Sequence, residues 1–147
     1  MSENNQKNIK KAVAIIVQRG EKLLLLKESI NKSYEKGKER WSFPLGKVEG
    51  NEDILNAAYR ELKEETGMSG IFDFKINGLF FLNDKTQKNK YILGTSFFCK
   101  LPSFRKIKIN KENKTMWFKI GKIKECKLRQ NMEVLIENYE QSKFPEK

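Results

Sequence analysis

Residues 46–68, GKVEGNEDILNAAYRELKEETGM, contain the segment with the clearest helical pattern in the first half of the chain. Asn51 is a suitable N-cap, and Glu52 suits the positive end of a helix dipole. Gly67 stands where a glycine commonly follows the last helical residue. The sequence therefore predicts a helix over residues 52–66.

The predicted helix carries an acidic face. If Glu61 is placed at zero, Glu64 lies at about 300° and Glu65 at about 40° around the helix axis, so the three carboxylates share one face within a turn. Ala57 lies one turn earlier on the same face, where a small side chain would leave room for a ligand. The neighbouring stripe, which we predict to face the core, consists of Leu55, Ala58, Tyr59 and Leu62.

Closely spaced like charges on a helix repel one another by about a few tenths of a kcal/mol per pair. A divalent cation would reverse the sign of this interaction, and carboxylate oxygens are hard ligands that suit magnesium or manganese. The chain contains no histidine, which excludes imidazole metal ligands and a histidine general base. Acidic clusters are also common on solvated helix faces, so the cluster alone leaves both interpretations open.

The residues around this helix resemble the Nudix box. The matching positions, in chain order, are Gly46, Glu52, Arg60-Glu61-Leu62, Glu64-Glu65 and Gly67-Met68. Outside the box, Trp41-Ser42-Phe43-Pro44 is similar to the family's usual entry to the loop, and Trp117-Phe118 to its late strand. The resemblance covers most of residues 10–140 and favours a metal site over a solvated helix face.

The resemblance implies an α/β (α+β) fold, namely the family's α/β/α sandwich with a mixed central β-sheet and a catalytic loop–helix–loop. We expect one domain over residues 1–147, with residues 1–8 and 142–147 as flexible tails. The hydrophobic pattern gives an order of elements that agrees with this fold. The predicted strands are 10–18, 21–27, 41–43, 70–82, 91–101 and 116–120, the first two joined by a turn at Arg19-Gly20, and the predicted closing helix is 128–141.

In the Nudix family, the loop–helix–loop binds magnesium and hydrolyses a nucleoside diphosphate linked to another group. The resemblance therefore implies Mg²⁺ as the cofactor, with Mn²⁺ as a substitute. Carried over by position, Glu61, Glu64 and Glu65 would hold the metal. The backbone carbonyl of Leu45, where many members have glycine, would join the metal shell.

The resemblance also assigns supporting roles near the metal ligands. Glu52 and Arg60 would brace the loop against the helix through a charge-assisted contact, and Gly46 would allow a tight backbone turn. Lys47 and Arg40 are expected to contact substrate phosphates, although an exposed lysine is also an ordinary surface residue in this lysine-rich chain.

A carboxylate must accept the proton of the attacking water, and Nudix members differ in which one does so. Glu61 and Glu65 are candidates within the box. Glu112, five residues before Trp117, is a candidate on a later loop and would also join the metal shell. Asp84 is a weaker candidate. The sequence leaves this choice open.

Several subfamily landmarks are missing. The proline of ADP-ribose hydrolases would fall near Asn83, and the tyrosine of dinucleoside polyphosphate hydrolases near residues 84–86. We therefore expect the MutT-like subgroup, whose members cleave a nucleoside triphosphate, often an oxidised one, to the monophosphate and pyrophosphate. The alternatives are an RNA 5′-pyrophosphohydrolase, a dinucleoside polyphosphate hydrolase and an inactive Nudix module that senses a ligand or partner.

The net charge of +11 agrees with an anionic substrate. Of the 30 basic residues 25 are Lys and five are Arg, spread along the chain, so we expect a small nucleotide as the partner and do not favour nucleic acid. No apolar run approaches the length of a membrane span, which predicts no membrane partner and a cytoplasmic location. Cys99 and Cys126 are expected to stay reduced there. The sequence carries no signal for oligomeric state.

Overall fold

A computed structural model describes residues 10–27, 40–83, 91–102, 115–126, 128 and 132–143. Within these ranges seven strands form one sheet: β1 (Lys10–Arg19), β2 (Lys22–Lys27), β3 (Trp41–Ser42), β4 (Leu45–Lys47), β5 (Lys75–Asn83), β6 (Tyr91–Leu101) and β7 (Thr115–Lys119). The helices are α1 (Ile54–Thr66), the 3-10 helix η1 (Ile120–Glu125) and α2 (Met132–Lys143).

The sheet is mixed. Its main path runs β3-β2-β1-β6-β5, with β4 paired to β1 and β7 paired to β2. The pairing of β1 with β6 is parallel, and the other strand pairs are antiparallel. The predicted mixed central sheet is therefore confirmed.

Each face of the sheet is buried against one helix. Successive side chains of a strand point to opposite faces, so alternate residues of β1 enter two separate clusters. One cluster joins Val13 to Leu62 of α1, and the other joins Ala14 to Leu135 of α2. The unbroken apolar run over residues 12–17 thus belongs to a central strand that is covered on both sides.

The turn between β1 and β2 lies one residue later than predicted. Arg19 pairs with Lys22, which leaves Gly20 and Glu21 as the turn residues. Gly20 has a φ of 61°, a left-handed conformation that glycine adopts without a steric cost. The prediction of a hairpin is confirmed, and the placement of its turn at Arg19-Gly20 is wrong because Arg19 belongs to the strand ladder.

Helix α1 begins at Ile54, two residues after the predicted start. Its N-cap is Asp53, whose Oδ1 accepts a hydrogen bond from the Asn56 amide at 2.8 Å. The predicted cap, Asn51, is wrong because the preceding residues form a turn in which the Glu52 amide donates to the Glu49 carbonyl at 3.0 Å. Among the described residues, no helix is long and apolar enough to cross a membrane.

The end of α1 matches the prediction. Gly67 has a φ of 82°, and its amide donates to the carbonyl of Lys63 at 2.8 Å. A residue with a side chain would be strained in this conformation, which explains why a glycine follows the helix here.

Strand β5 begins at Lys75, five residues later than predicted. The phenolic hydroxyl of Tyr59 donates to the Phe72 carbonyl at 2.6 Å and accepts from the Phe72 amide at 3.1 Å. Both backbone groups of Phe72 are therefore satisfied by a tyrosine of α1 instead of by a neighbouring strand. The aromatic residues at 72 and 74 gave a strand pattern, but this segment packs on the helix.

The sequence pattern did not predict β4 or η1. Both are short, and β4 forms because its residues pair with β1 at Ala12–Ala14 directly after Pro44. The closing helix begins at Met132, not at 128, because Leu128 forms an isolated bridge with Trp41. Helix α2 extends to Lys143, so its last two residues fall within the segment predicted as a tail. The other predicted strands agree to within one residue at each end.

Gly94 tests the packing of the α2 face of the sheet. A Cβ atom at this position would overlap the ring of Phe80, which is only 2% exposed. We expect Gly94→Ala to lower the free energy of unfolding by about 1–3 kcal/mol, as overpacking does elsewhere, in urea denaturation. Gly121→Ala is the matched control, because a Cβ atom there has no neighbour within 4 Å. Equal stability of the two variants would contradict the packing described.

Candidate active site

The inner face of α1 places two carboxylates against β4. The Glu61 side chain is 13% exposed, and a Cβ atom on Gly46 would overlap its carboxyl group. Only a glycine at position 46 leaves space for Glu61 in this position. One residue earlier, the Leu45 amide donates to Glu65 Oε1 at 2.7 Å. The helix and the strand thus meet through these two acidic side chains.

Arg60 joins the loop after β4 to the helix. Its Nε donates to Glu52 Oε2 at 2.8 Å and its Nη2 to Glu52 Oε1 at 2.9 Å, a two-pronged contact. Nη2 also donates to the backbone carbonyl of Lys47 at 2.9 Å. The Glu49 amide donates in turn to Glu52 Oε1 at 3.1 Å. The loop between β4 and α1 is therefore tied to one guanidinium group.

The remaining nitrogen of this guanidinium faces two further carboxylates. Arg60 Nη1 donates to Glu61 Oε1 and to Glu64 Oε1, both at 2.8 Å. Glu64 is the more accessible of the two, with 51% of its side chain exposed. A positive charge between them offsets the repulsion that the spacing of these glutamates predicts.

These contacts shift the titration of the groups involved. The hydrogen bond from Arg60 lowers the pKa of Glu52 from its ordinary 4.5 to about 2, and the same contact raises the pKa of Arg60. Burial raises the pKa of the Glu61 carboxyl, and its hydrogen bond with Arg60 opposes that rise. Glu61 is therefore the group in the contact network whose pKa shift is caused mainly by burial.

The donor set suits a hard cation, because all three predicted ligands are carboxylates on neighbouring turns. Their arrangement is not that of an assembled site. In the described parts of the chain, no group of three or more acidic, cysteine or histidine side chains comes close enough together to hold a metal ion. Glu61 and Glu64 turn towards Arg60, and Glu65 turns towards the Leu45 amide. The convergence of the three on Mg²⁺ stays a prediction.

A family model described as a NUDIX domain matches residues 8–139. The chain belongs to the Nudix family. The resemblance carried by residues 46–68 is thereby confirmed, and the match extends over the whole described sheet, helix α1 and helix α2 as far as Tyr139.

Known proteins similar to the chain differ in how much of it they cover. Phosphatase NudJ from Escherichia coli K12 is 44% identical over 57 residues, which are 39% of this chain and 34% of NudJ. The match therefore spans about a third of the length of these curated relatives. The MutT protein from Methanosarcina mazei Go1 has a TM-score of 0.72 at 21% identity, covering 93% of this chain and 96% of that one.

The Escherichia coli ORF135 protein gives a TM-score of 0.71 at 20% identity, covering 92% of this chain and 91% of that one. Likeness at this level of identity shows the fold. The predicted Nudix α/β/α sandwich is confirmed.

The other residues predicted for the Nudix site are placed as follows. Lys47 is exposed on β4, and Arg40 is half-buried immediately before β3. Glu112 and Asp84 lie outside the described residues, as does nearly all of the loop 28–40. The Lys47 carbonyl accepts from Arg60, which also contacts Glu61 and Glu64, and the roles of Arg40, Asp84 and Glu112 stay predictions.

Two predictions about the faces of α1 are wrong. Ala57, predicted to leave room for a ligand, is fully buried in the core cluster between α1 and the sheet. Leu55, predicted to face the core, is 44% exposed. The buried side of the helix is centred near Glu61 and Ala58, because strand β4 contacts Glu61 and Glu65 on the acidic face.

Sequence reasoning did not single out the aromatic contacts beside β3. Trp41 and Phe118 meet edge to face with ring centroids 4.7 Å apart, and Lys27 Nζ lies 5.8 Å from the Trp41 ring centroid. Trp41 appeared only as part of the entry to the Nudix loop. Trp41 and Phe118 come together because β2 pairs with both β3 and β7. This pairing cannot be read from the local sequence.

The Glu52–Arg60 contact predicts how stability depends on pH. Because Glu52 has a lowered pKa in the folded protein, the contact stabilises the fold above its ordinary pKa of 4.5, and this contribution is lost as the pH falls towards about 2. We therefore expect the urea midpoint of Glu52→Gln to fall less steeply on acidification than that of the wild type. Glu137→Gln, which removes an exposed carboxylate of α2, controls for the loss of one negative charge. Parallel curves for wild type and Glu52→Gln would contradict the assignment.

Proposed function

We propose that the chain is a Mg²⁺-dependent pyrophosphohydrolase. It cleaves a phosphoanhydride bond in a nucleoside diphosphate linked to another group. The proposed substrate is a nucleoside triphosphate, ordinary or oxidised, which is released as the monophosphate and pyrophosphate. The observation that carries the proposal is the position of Glu61, held in a space that only Gly46 leaves open, beside Glu64 on the same guanidinium group.

The chain's own residues would divide the work between binding and support. Glu61, Glu64 and Glu65 would hold the cation, which supplies neutralisation of the pyrophosphate charge and activation of the attacking water. Arg60 and Glu52 would keep the loop and helix in register while substrate binds. Arg60 already forms the two-pronged contact with Glu52, and its Nη1 already donates to Glu64.

The proton of the attacking water needs an acceptor near the phosphorus atom. Glu61 and Glu65 both border β4 at consecutive residues, which keeps either of them close to a pyrophosphate bound over Leu45 and Gly46. Glu112 is the third candidate, on a loop outside the described residues. Comparison of single Glu→Gln variants at these positions, by the pH dependence of kcat, distinguishes them.

Charge supports an anionic substrate. The net charge of +11 draws polyanions towards the surface, and the exposed Lys47 follows directly after Gly46 in the Nudix loop. We propose that Lys47 and Arg40 contact substrate phosphates. An enzyme acting on the nucleotide pool would work in the cytoplasm, and we propose that location as well.

The choice of substrate is tested by a panel. We expect the highest kcat/KM on a nucleoside triphosphate or its 8-oxo form when these are compared with dinucleoside polyphosphates, ADP-ribose and 5′-triphosphorylated RNA. A preference for the RNA over every mononucleotide would replace our substrate assignment while leaving the reaction class intact. Absence of turnover on all of them, with Mg²⁺ and with Mn²⁺, would favour the inactive ligand-sensing module.

The reaction class is tested by a matched pair of variants. Glu64→Gln removes one predicted metal ligand with little change in volume, and we expect the variant to fold because this side chain is half-exposed. We expect kcat to fall at least about 100-fold while the circular dichroism spectrum is unchanged. Glu137→Gln makes the same chemical change on α2 and should keep full activity. Equal turnover by the two variants would reject the catalytic role of the acidic face.

A further inference from the structure

A row of three basic residues crosses the sheet at the end of the β1–β2 hairpin. Arg19 of β1 is paired with Lys22 of β2, and Lys22 is paired with Lys119 of β7. Directly paired residues of antiparallel strands project to the same face of a sheet. The three positive side chains therefore stand side by side on the face that carries α1.

This row is unfavourable for the isolated fold. Like charges directly opposite each other on paired strands destabilise a sheet. In the part of the chain that the structure describes, neither Lys22 nor Lys119 makes an ion pair, and both are exposed. A negatively charged ligand across the row would relieve the repulsion.

An aromatic ring lies next to the row. Trp117 precedes Lys119 by two residues on β7, so both project to the same face, and its ring is half-buried. The Arg19 guanidinium carbon lies 6.0 Å from the centroid of the Trp117 ring. A flat, partly exposed indole beside several cations is the combination that binds the bases and phosphates of single strands.

The row and the ring belong to an open groove of about 1220 Å³. Its walls are the β1–β2 turn and the segment from β7 into η1, joined where the Ile120 amide donates to the Glu21 carbonyl at 2.9 Å. Lys122 adds a fourth basic side chain to the lining, and Glu21 and Glu125 are the acidic ones. Positive charge thus predominates in this cationic groove, which is far larger than one phosphate requires.

The cationic groove is separate from the Nudix site. Ala14 of β1 is paired with Leu45, beside the acidic face of α1, whereas Arg19 lies five residues further along the same strand. At a rise of about 3.3 Å per residue, the two positions are roughly 17 Å apart along β1. A single phosphate group bound at one of them does not reach the other.

We propose that the cationic groove binds single-stranded nucleic acid, with the sugar–phosphate backbone along the row Arg19–Lys22–Lys119 and a base against Trp117. Three adjacent strands spaced about 4.8 Å apart give the row a length of roughly 10 Å, which matches more than one phosphate. This site does not depend on the proposed hydrolysis. It offers an extended polyanion a row of positive side chains, which the acidic face of α1 does not.

The test uses a fluorescein-labelled single-stranded RNA 12-mer with a 5′-hydroxyl end and EDTA present, so that the Nudix site is not engaged. We expect fluorescence anisotropy to show binding that weakens with salt. In Lys22→Gln/Lys119→Gln, affinity should fall about tenfold, and the slope of log Kd against log salt concentration should decrease by about 1.4. The unliganded double variant should unfold at the same temperature as the wild type or higher, because the two lysines repel each other.

Lys75→Gln/Lys100→Gln is the matched control, with the same change in net charge on exposed lysines of β5 and β6. It should change the RNA affinity less than about twofold. In a Trp41→Phe background, Trp117 is the single tryptophan, and RNA should change its fluorescence.

An equal loss of RNA affinity in the two double variants would show that net charge alone attracts the RNA. It would overturn the proposal that the cationic groove is the binding site. An unchanged Trp117 fluorescence at saturating RNA would do the same. Nucleoside triphosphate hydrolysis should be unaffected in Lys22→Gln/Lys119→Gln, and a large fall in kcat/KM would mean that the groove belongs to the substrate site instead. If hydrolysis is absent from the wild type but RNA still binds as described, the proposed function fails and the cationic groove stands.

Discussion

One guanidinium group holds the loop of the Nudix box against its helix. Arg60 binds both oxygens of Glu52 and the Lys47 carbonyl on the loop side, and Glu61 and Glu64 on the helix side. Arginine is suited to this position because its planar fork donates in several fixed directions at once, whereas lysine offers a single ammonium group. The position of Glu61 next to Gly46 depends on this link, since the loop and strand β4 are consecutive in the chain.

The same contacts set a condition on metal binding. A cation held by Glu61 and Glu64 would interact with oxygens that now accept hydrogen bonds from Arg60 Nη1. The exposed Glu64 can rotate away from the guanidinium at little cost, whereas Glu61 is confined by β4. If these carboxylates hold the proposed cation, Glu61 would be the fixed ligand and Glu64 the adjustable one. Binding of both positive groups is possible because each carboxylate has lone pairs to share between them.

The local sequence predicted those parts of the structure that are determined by residues close together in the chain. The apolar runs gave β1, β2 and β6, and the spacing of charged residues around Arg60 gave the Nudix box. Two of the larger errors arise where residues distant in the chain determine the structure. Phe72 lies outside β5 because Tyr59 satisfies its backbone, and Ala57 is buried because it packs in the core cluster between α1 and the sheet. The row through Lys22 could not be foreseen either, because it requires the register of three strands.

The central claim is that the acidic face of α1 takes up a divalent cation together with a nucleotide. The most direct measurement is an electron paramagnetic resonance titration of Mn²⁺ with a nonhydrolysable triphosphate analogue, carried out with and without protein. We predict that the protein lowers the signal of unbound Mn²⁺ beyond the effect of the analogue alone, and that Glu61→Gln removes this difference. An unbound Mn²⁺ signal that is the same with and without the wild-type protein would contradict the claim.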